Sequence, residues 1–182
     1  MMTLCFRISK RRCRRLLRVI YLHQQGSHYP FSNVYPANRA VFGSSRTIDH
    51  YDNTVRFTDD VIREVVTSLK ALRRPAMMFY VSDHGDTPRA KGWRCFDDRD
   101  LWELPMIVWF SEEYKVAFPD TVAAVKNSVA VPLQSDQVLP GLLTMMQIEG
   151  WADSSSEKCF LNPSFKPRTQ RLIKNWSESY KR

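Results

Sequence analysis

A chain of 182 residues, 43% hydrophobic and 25% charged, can bury one sizeable core and has the make-up of a soluble globular domain, not of a disordered or fibrous one. Its formal charge of +8 is concentrated: seven of the 27 basic side chains (Arg7, Lys10, Arg11, Arg12, Arg14, Arg15, Arg18) fall in residues 1–18, which hold no acidic residue. The other 20 basic side chains are nearly balanced by the 19 acidic ones, so the folded body does not read as a nucleic-acid binder.

Residues 1–17 read as a basic, disordered arm and residues 18–182 as the folded part. The apolar stretch 16–22 is broken by Arg18 and lacks the length and cleavage site of a secretory signal. The longest clean apolar run is Leu104 to Phe110, far short of the roughly 20 residues of a membrane span. As written, the expectation is a cytoplasmic chain with no span. Cys5, Cys13, Cys95 and Cys159 form no CxxC pair and no zinc-ribbon spacing, which leaves free thiols or disulfides equally open.

Arg18–His23, with Val19, Ile20 and Tyr21, predicts a short strand. A polar loop punctuated by Gly26, Pro30 and Pro36 follows. From Thr47 to Leu72, apolar residues at Ile48, Tyr51, Val55, Ile62, Val65, Leu69 and Leu72 recur at helical spacing, and Pro75 ends the pattern. Ala76–Ser82 is continuously apolar, as a central parallel strand would be, and Leu104–Phe110 predicts another strand after a long polar loop. Strand, helix, strand, strand points to an α/β sandwich with a mainly parallel sheet. Residues 135–148 predict a last helix, kinked or restarted at Pro140-Gly141, and 168–180 one or two amphipathic turns.

The chemistry gathers where strands end. Asp83 and His84 close the strand Ala76–Ser82, and His23 and His28 follow the first strand, so ligand-binding strand ends would present three histidines and a carboxylate on one sheet edge. Imidazole and carboxylate together suit zinc or a similar divalent ion. The plainer alternative is a turn, with Asp83 as its cap and Gly85 as its left-handed residue. His50, the fourth histidine, in the first turn of the long helix, reads as a surface or packing residue.

Four motifs follow one another in order. They are His23-Gln-Gln-Gly-Ser-His28-Tyr with Tyr35-Pro36, Tyr51-Asp52-Asn53-Thr54 with Thr58-Asp59, Tyr80-Val-Ser-Asp83-His84-Gly85-Asp86, and Leu104-Pro105 to Trp109. Over about residues 18–150 this series resembles the C-terminal half of the bacterial phosphoethanolamine transferases, of the alkaline phosphatase and sulfatase superfamily. The resemblance implies a partial sandwich of that superfamily. It implies a zinc-dependent enzyme that moves phosphoethanolamine from phosphatidylethanolamine to a lipid A or lipopolysaccharide acceptor through a phosphorylated threonine. Asp83, His84 and His28 would then be metal ligands, with His28 facing the phosphoryl group or a second zinc and His23 just behind it. Such enzymes are inner-membrane proteins with a periplasmic catalytic domain.

This chain departs from that pattern. The family's membrane helices, acidic ligand and threonine nucleophile precede the His23 motif, where only 22 residues, most of them the basic arm, stand here. No histidine follows His84, though Lys91 or Arg94 would suit an anion, and the sulfatase Cys-x-Pro-Ser-Arg motif is absent. The expectation is therefore a truncated segment without its nucleophile and inactive alone. A non-catalytic remnant and a sulfuric or phosphoric ester hydrolase are the alternatives, and a basic-arm module for anionic lipid or nucleic acid is a third.

Overall fold

The helical spacing of residues 47–72 produces one 25-residue helix, α1, Thr47–Ala71. At its start the Arg46 N–H donates to Asp49 Oδ2 at 3.0 Å, while Arg46 Nε and Nη2 donate to Asp49 Oδ1. A carboxylate in the first turn thus satisfies a backbone donor just outside the helix and complements the helix dipole. At the other end Arg73 adopts a left-handed φ of 47° before Pro75. The computed structural model describes residues 2–7, 16–86, 88, 99–148, 157–168, 170–172 and 179–181. It divides into two compact units, residues 1–111 and 112–182.

In the first unit, strand β1 (Met2–Arg7) pairs antiparallel with β2 (Leu16–Tyr21). Part of the basic arm therefore lies as a strand, and the predicted strand starts and ends two residues early, leaving His23 beyond its end. After α1 come β3 (Met77–Val81) and β4 (Met106–Phe110), paired antiparallel with Met77 opposite Phe110 and Val81 opposite Met106. The mainly parallel sheet expected from the sequence is corrected here: every strand pair among the described residues is antiparallel. The continuous apolar run of β3 suits either strand direction, and the register that sets Met77 opposite Phe110 and Val81 opposite Met106 makes the pair antiparallel. Ser111 closes the pair. Its N–H donates to Ala76 O at 2.9 Å, and its Oγ accepts the Ala76 N–H and donates to Arg74 O.

The strand β3 is half-buried along most of its length, and Val81 and Ile107 are exposed, so it does not pack as a central strand does. The buried apolar side chains of this unit are Phe31, Tyr35, Leu101 and Phe110. Beside them α1 buries polar residues, Asp49, Asn53, Thr54, Thr58 and Asp60, while its apolar Val55 is exposed.

In the second unit, residues 112–134 carry no expectation from the sequence and hold two short helices. These are α2 (Glu112–Ala117), with two glutamates in its first turn, and α3 (Pro119–Asn127), opened by proline where a missing N–H costs nothing. The predicted last helix is α4, Ser135–Met145, with Pro140 inside it. A Cβ on Gly141 would sit 1.9 Å from Phe160 Cε1, so glycine is what lets the buried Phe160 ring lie on this helix. Tyr114, Val122, Met145 and Cys159 complete that core, and the Tyr114 hydroxyl donates to Met145 O. In the tail, β5 (Gln170–Leu172) and β6 (Ser179–Lys181) pair antiparallel, and residues 169 and 173–178 of the turns expected over 168–180 lie outside the described residues.

Candidate metal centre

The strand β3 ends where its apolar run ends, and the next three residues fold onto themselves. Ser82 Oγ donates to His84 O at 2.7 Å, and the His84 N–H donates to Asp83 Oδ1 at 3.0 Å. His84 Nδ1 lies 2.7 Å from Gly85 O. A carbonyl only accepts, so Nδ1 carries the proton and the lone pair sits on Nε2. Metal-bound histidines show this arrangement, the second nitrogen held by a backbone carbonyl. Asp83 is exposed and keeps its other carboxylate oxygen without a protein partner among the described residues.

Gly85 is needed for space, not for a left-handed turn. Its φ is not positive, but an added Cβ would stand 1.8 Å from Asp100 O, and its N–H donates to Leu101 O at 3.0 Å. The turn bearing Asp83 and His84 is thereby tied to the segment before β4.

The histidine loop is placed differently from the sequence expectation. Because β2 pairs with β1 and not with β3, His23 and His28 do not share a sheet edge with Asp83. The loop is laid along α1 instead. Gln24 Nε2 donates to Thr58 Oγ1 at 3.2 Å, the Ser27 and Thr54 hydroxyls lie 2.7 Å apart, and Phe31 meets Tyr51 edge-on at 5.3 Å. Gly26, at φ 59°, supplies the turn before Ser27. His28 Nδ1 faces Tyr29 O, which leaves its Nε2 as the acceptor, as in His84. His23 is exposed and touches the Tyr21 ring, with centroids 6.3 Å apart. His50 packs on Tyr35, whose hydroxyl lies 2.8 Å from its Nδ1, as a packing residue should.

Asp83 and His84 are thus brought together by the chain itself. With His28 or any other described His, Cys, Asp or Glu they form no group of three able to hold a metal. The donor chemistry of the pair fits a divalent cation: an unprotonated Nε2 and an open carboxylate oxygen. Among the described residues, carboxylates act on two phenols of this unit. Burial raises the Tyr51 pKa, and the charges of Asp86, Asp52 and Asp100 raise it further. Tyr80 is raised in the same way, by burial and then by Asp59 and Asp83. Both phenols therefore stay neutral. Lys91 and Arg94, which would suit an anion, lie outside the described residues.

Two hydroxyls flank the motifs. Thr54 Oγ1 donates to Tyr51 O at 2.6 Å, so its single proton is spent and Ser27 is the donor between the two hydroxyls. Ser82 donates to His84 O. Both serine protons are committed within the fold, which is not how a nucleophile is set beside its base.

Two contributors carried little sequence signal of their role. Asp100, whose backbone carbonyl stands against Gly85, lies across a long loop from it. Asn53 is fully buried and uses all its valences: Oδ1 accepts from the Val41 and Phe42 N–H groups, and Nδ2 donates to Gly43 O and Tyr35 Oη. A polar residue beside the apolar stripe of a long helix was the one hint.

The sequence profile of the family described as Sulfatase matches residues 18–148. The chain is 28% identical to the "Phosphoethanolamine transferase EptA" of Helicobacter pylori over 116 residues, 53% of this chain and 22% of that protein. It is 34% identical to the "Putative transferase YhbX" of Escherichia coli over 101 residues, 52% of this chain and 18% of that protein. To the "Phosphoethanolamine transferase EptC" of Escherichia coli it is 25% identical over 176 residues, 84% of this chain and 29% of that protein. It therefore spans between about a fifth and under a third of the length of these relatives. No solved structure matches it. With the profile covering well over half its length, the chain belongs to the sulfatase family, and several of its curated relatives are named phosphoethanolamine transferases.

Proposed function

We propose that this chain is a segment of a metal-dependent phosphoethanolamine transferase, taking phosphoethanolamine from phosphatidylethanolamine to a lipid A or other glycan acceptor. The observation that carries the reading is the Asp83–His84 pair, with Nε2 of His84 and one oxygen of Asp83 held open at the end of β3. These two side chains would hold a zinc ion. A bound zinc lowers the pKa of a coordinated hydroxyl and offsets charge developing on phosphoryl oxygens. His28, its Nε2 free to accept or, once protonated, to donate, is assigned to the phosphoryl group, with His23 behind it. The loop bonds from α1 hold His28 in place, and Gly85 holds the pair against the segment before β4. With the Ser27 and Ser82 protons committed, the nucleophile is assigned to neither, and this chain alone is expected to show no turnover. Among the described residues no helix is long and apolar enough to cross a membrane.

A chimera tests the reading. Residues 18–148 replace the matching segment of the Helicobacter pylori relative, and transfer from a fluorescent phosphatidylethanolamine is followed. Transfer sustained by the chimera and lost at least about 100-fold on His84→Ala supports the proposal. A folded chimera without transfer, or one indifferent to His84→Ala and Asp83→Ala, contradicts it.

A further inference from the structure

One face of α1 carries a cluster that the metal chemistry does not use. Arg56 Nη1 and Arg63 Nη1 reach Asp60 Oδ1 at 2.8 and 2.7 Å, and Arg39 Nη1 stands 3.7 Å from Oδ2. Three guanidinium groups thus converge on one carboxylate whose side chain is only 11% exposed. One aspartate does not need three arginines. Even with Glu64 counted beside it, the cluster keeps an excess positive charge. Each arginine spends a single Nη1 on Asp60, and the Nε and Nη2 donors of Arg39 and Arg63 have no protein partner among the described residues. These two side chains are 52% and 62% exposed, so their unused donors reach solvent. They line a cleft of about 360 Å³ with Asp60, Glu64, Thr67 and Ser68. Thr67 donates to Arg63 O at 2.8 Å, while the Ser68 hydroxyl has no partner among the described residues.

We propose that the cleft lined by Arg39, Arg63 and Ser68 is a binding subsite for a phosphate monoester, with Asp60 holding the arginine forks in place. Two guanidinium forks and a hydroxyl match the several acceptor oxygens of a tetrahedral dianion, and the forks bind phosphate two-pronged where a lysine would offer a point charge. The cleft is open to solvent, so a phosphate can enter free or as the monoester of a larger molecule that extends outward. The site uses neither Asp83 nor His84, so it stands independently of any bound metal.

The test is isothermal titration of the full chain, in chelator, with glucose 1-phosphate, with inorganic phosphate, and with glucose as the neutral control. Saturable binding of either phosphate, with none of glucose, is expected. It should weaken at least about tenfold in Arg39→Gln/Arg63→Gln, the scale of one lost charge-assisted hydrogen bond, and be unchanged in His84→Ala. Tighter binding of glucose 1-phosphate assigns a phosphorylated sugar, and tighter binding of inorganic phosphate assigns the free ion. Ser68→Asp places a negative charge in the cleft outside the Asp60 network, and the same loss is expected there. It decides the matter if the arginine variant does not fold. Absence of saturable binding, or binding retained in both Arg39→Gln/Arg63→Gln and Ser68→Asp, overturns the proposal.

Discussion

The Asn53 side chain donates to the Tyr35 hydroxyl at 3.2 Å, and the same amide accepts the Val41 and Phe42 N–H groups and donates to Gly43 O. One fully buried residue of α1 thereby fixes the loop that runs on from His28. Asn53→Ala removes four hydrogen bonds, of which the exposed residues 41–43 recover part from water. A loss of about 2–4 kcal/mol is expected. Urea denaturation of wild type and variant measures it, and a loss below about 1 kcal/mol would mean that the loop is held elsewhere.

Arg73 ends α1 in a left-handed conformation at φ 47°, where glycine is at ease. Arg73→Gly should relieve about 0.5–1 kcal/mol of backbone cost while losing a cation near the helix C-terminus worth about 0.3–1 kcal/mol at low salt. Salt screens only the second effect. The variant should therefore gain stability over wild type as salt is raised. Thermal melts in low and high salt check this, and a variant less stable at both would contradict it.

Acid should act through Asp60 and Asp49. Burial works to raise the Asp60 pKa, but the hydrogen bonds and charges of Arg63 and Arg56 outweigh it and hold the carboxyl below its ordinary value. Asp49 is lowered chiefly by its hydrogen bond from Arg46. A lowered folded pKa contributes stability that is complete above the ordinary value of 3.8 and is lost as pH falls through the folded one. Melting temperature should be level above about pH 5 and fall below about pH 4, and Asp60→Asn should flatten that fall. An unchanged acid limb in Asp60→Asn would contradict the assignment.

What the sequence made legible was local. The bounds of α1 followed from apolar spacing and Pro75, and the strand end at Asp83 from a polar break after an apolar run. Sheet pairing was not legible, because β3 is apolar enough for either direction and its partner depends on how an intervening loop returns. The same distance effect hid Gly85, whose requirement comes from Asp100 fifteen residues on, and Asn53, whose partners lie in a loop with no periodicity. The short helices α2 and α3 carry too few apolar turns to announce themselves.

The central claim is that Asp83 and His84 hold a metal ion, and zinc titration by calorimetry on the purified chain tests it most directly. One zinc per chain is expected, bound loosely because a closed site takes three or four protein ligands. Asp83→Ala and His84→Ala should each weaken it at least about tenfold, with melting curves otherwise close to wild type. Zinc bound equally well by wild type and by both variants would contradict the account.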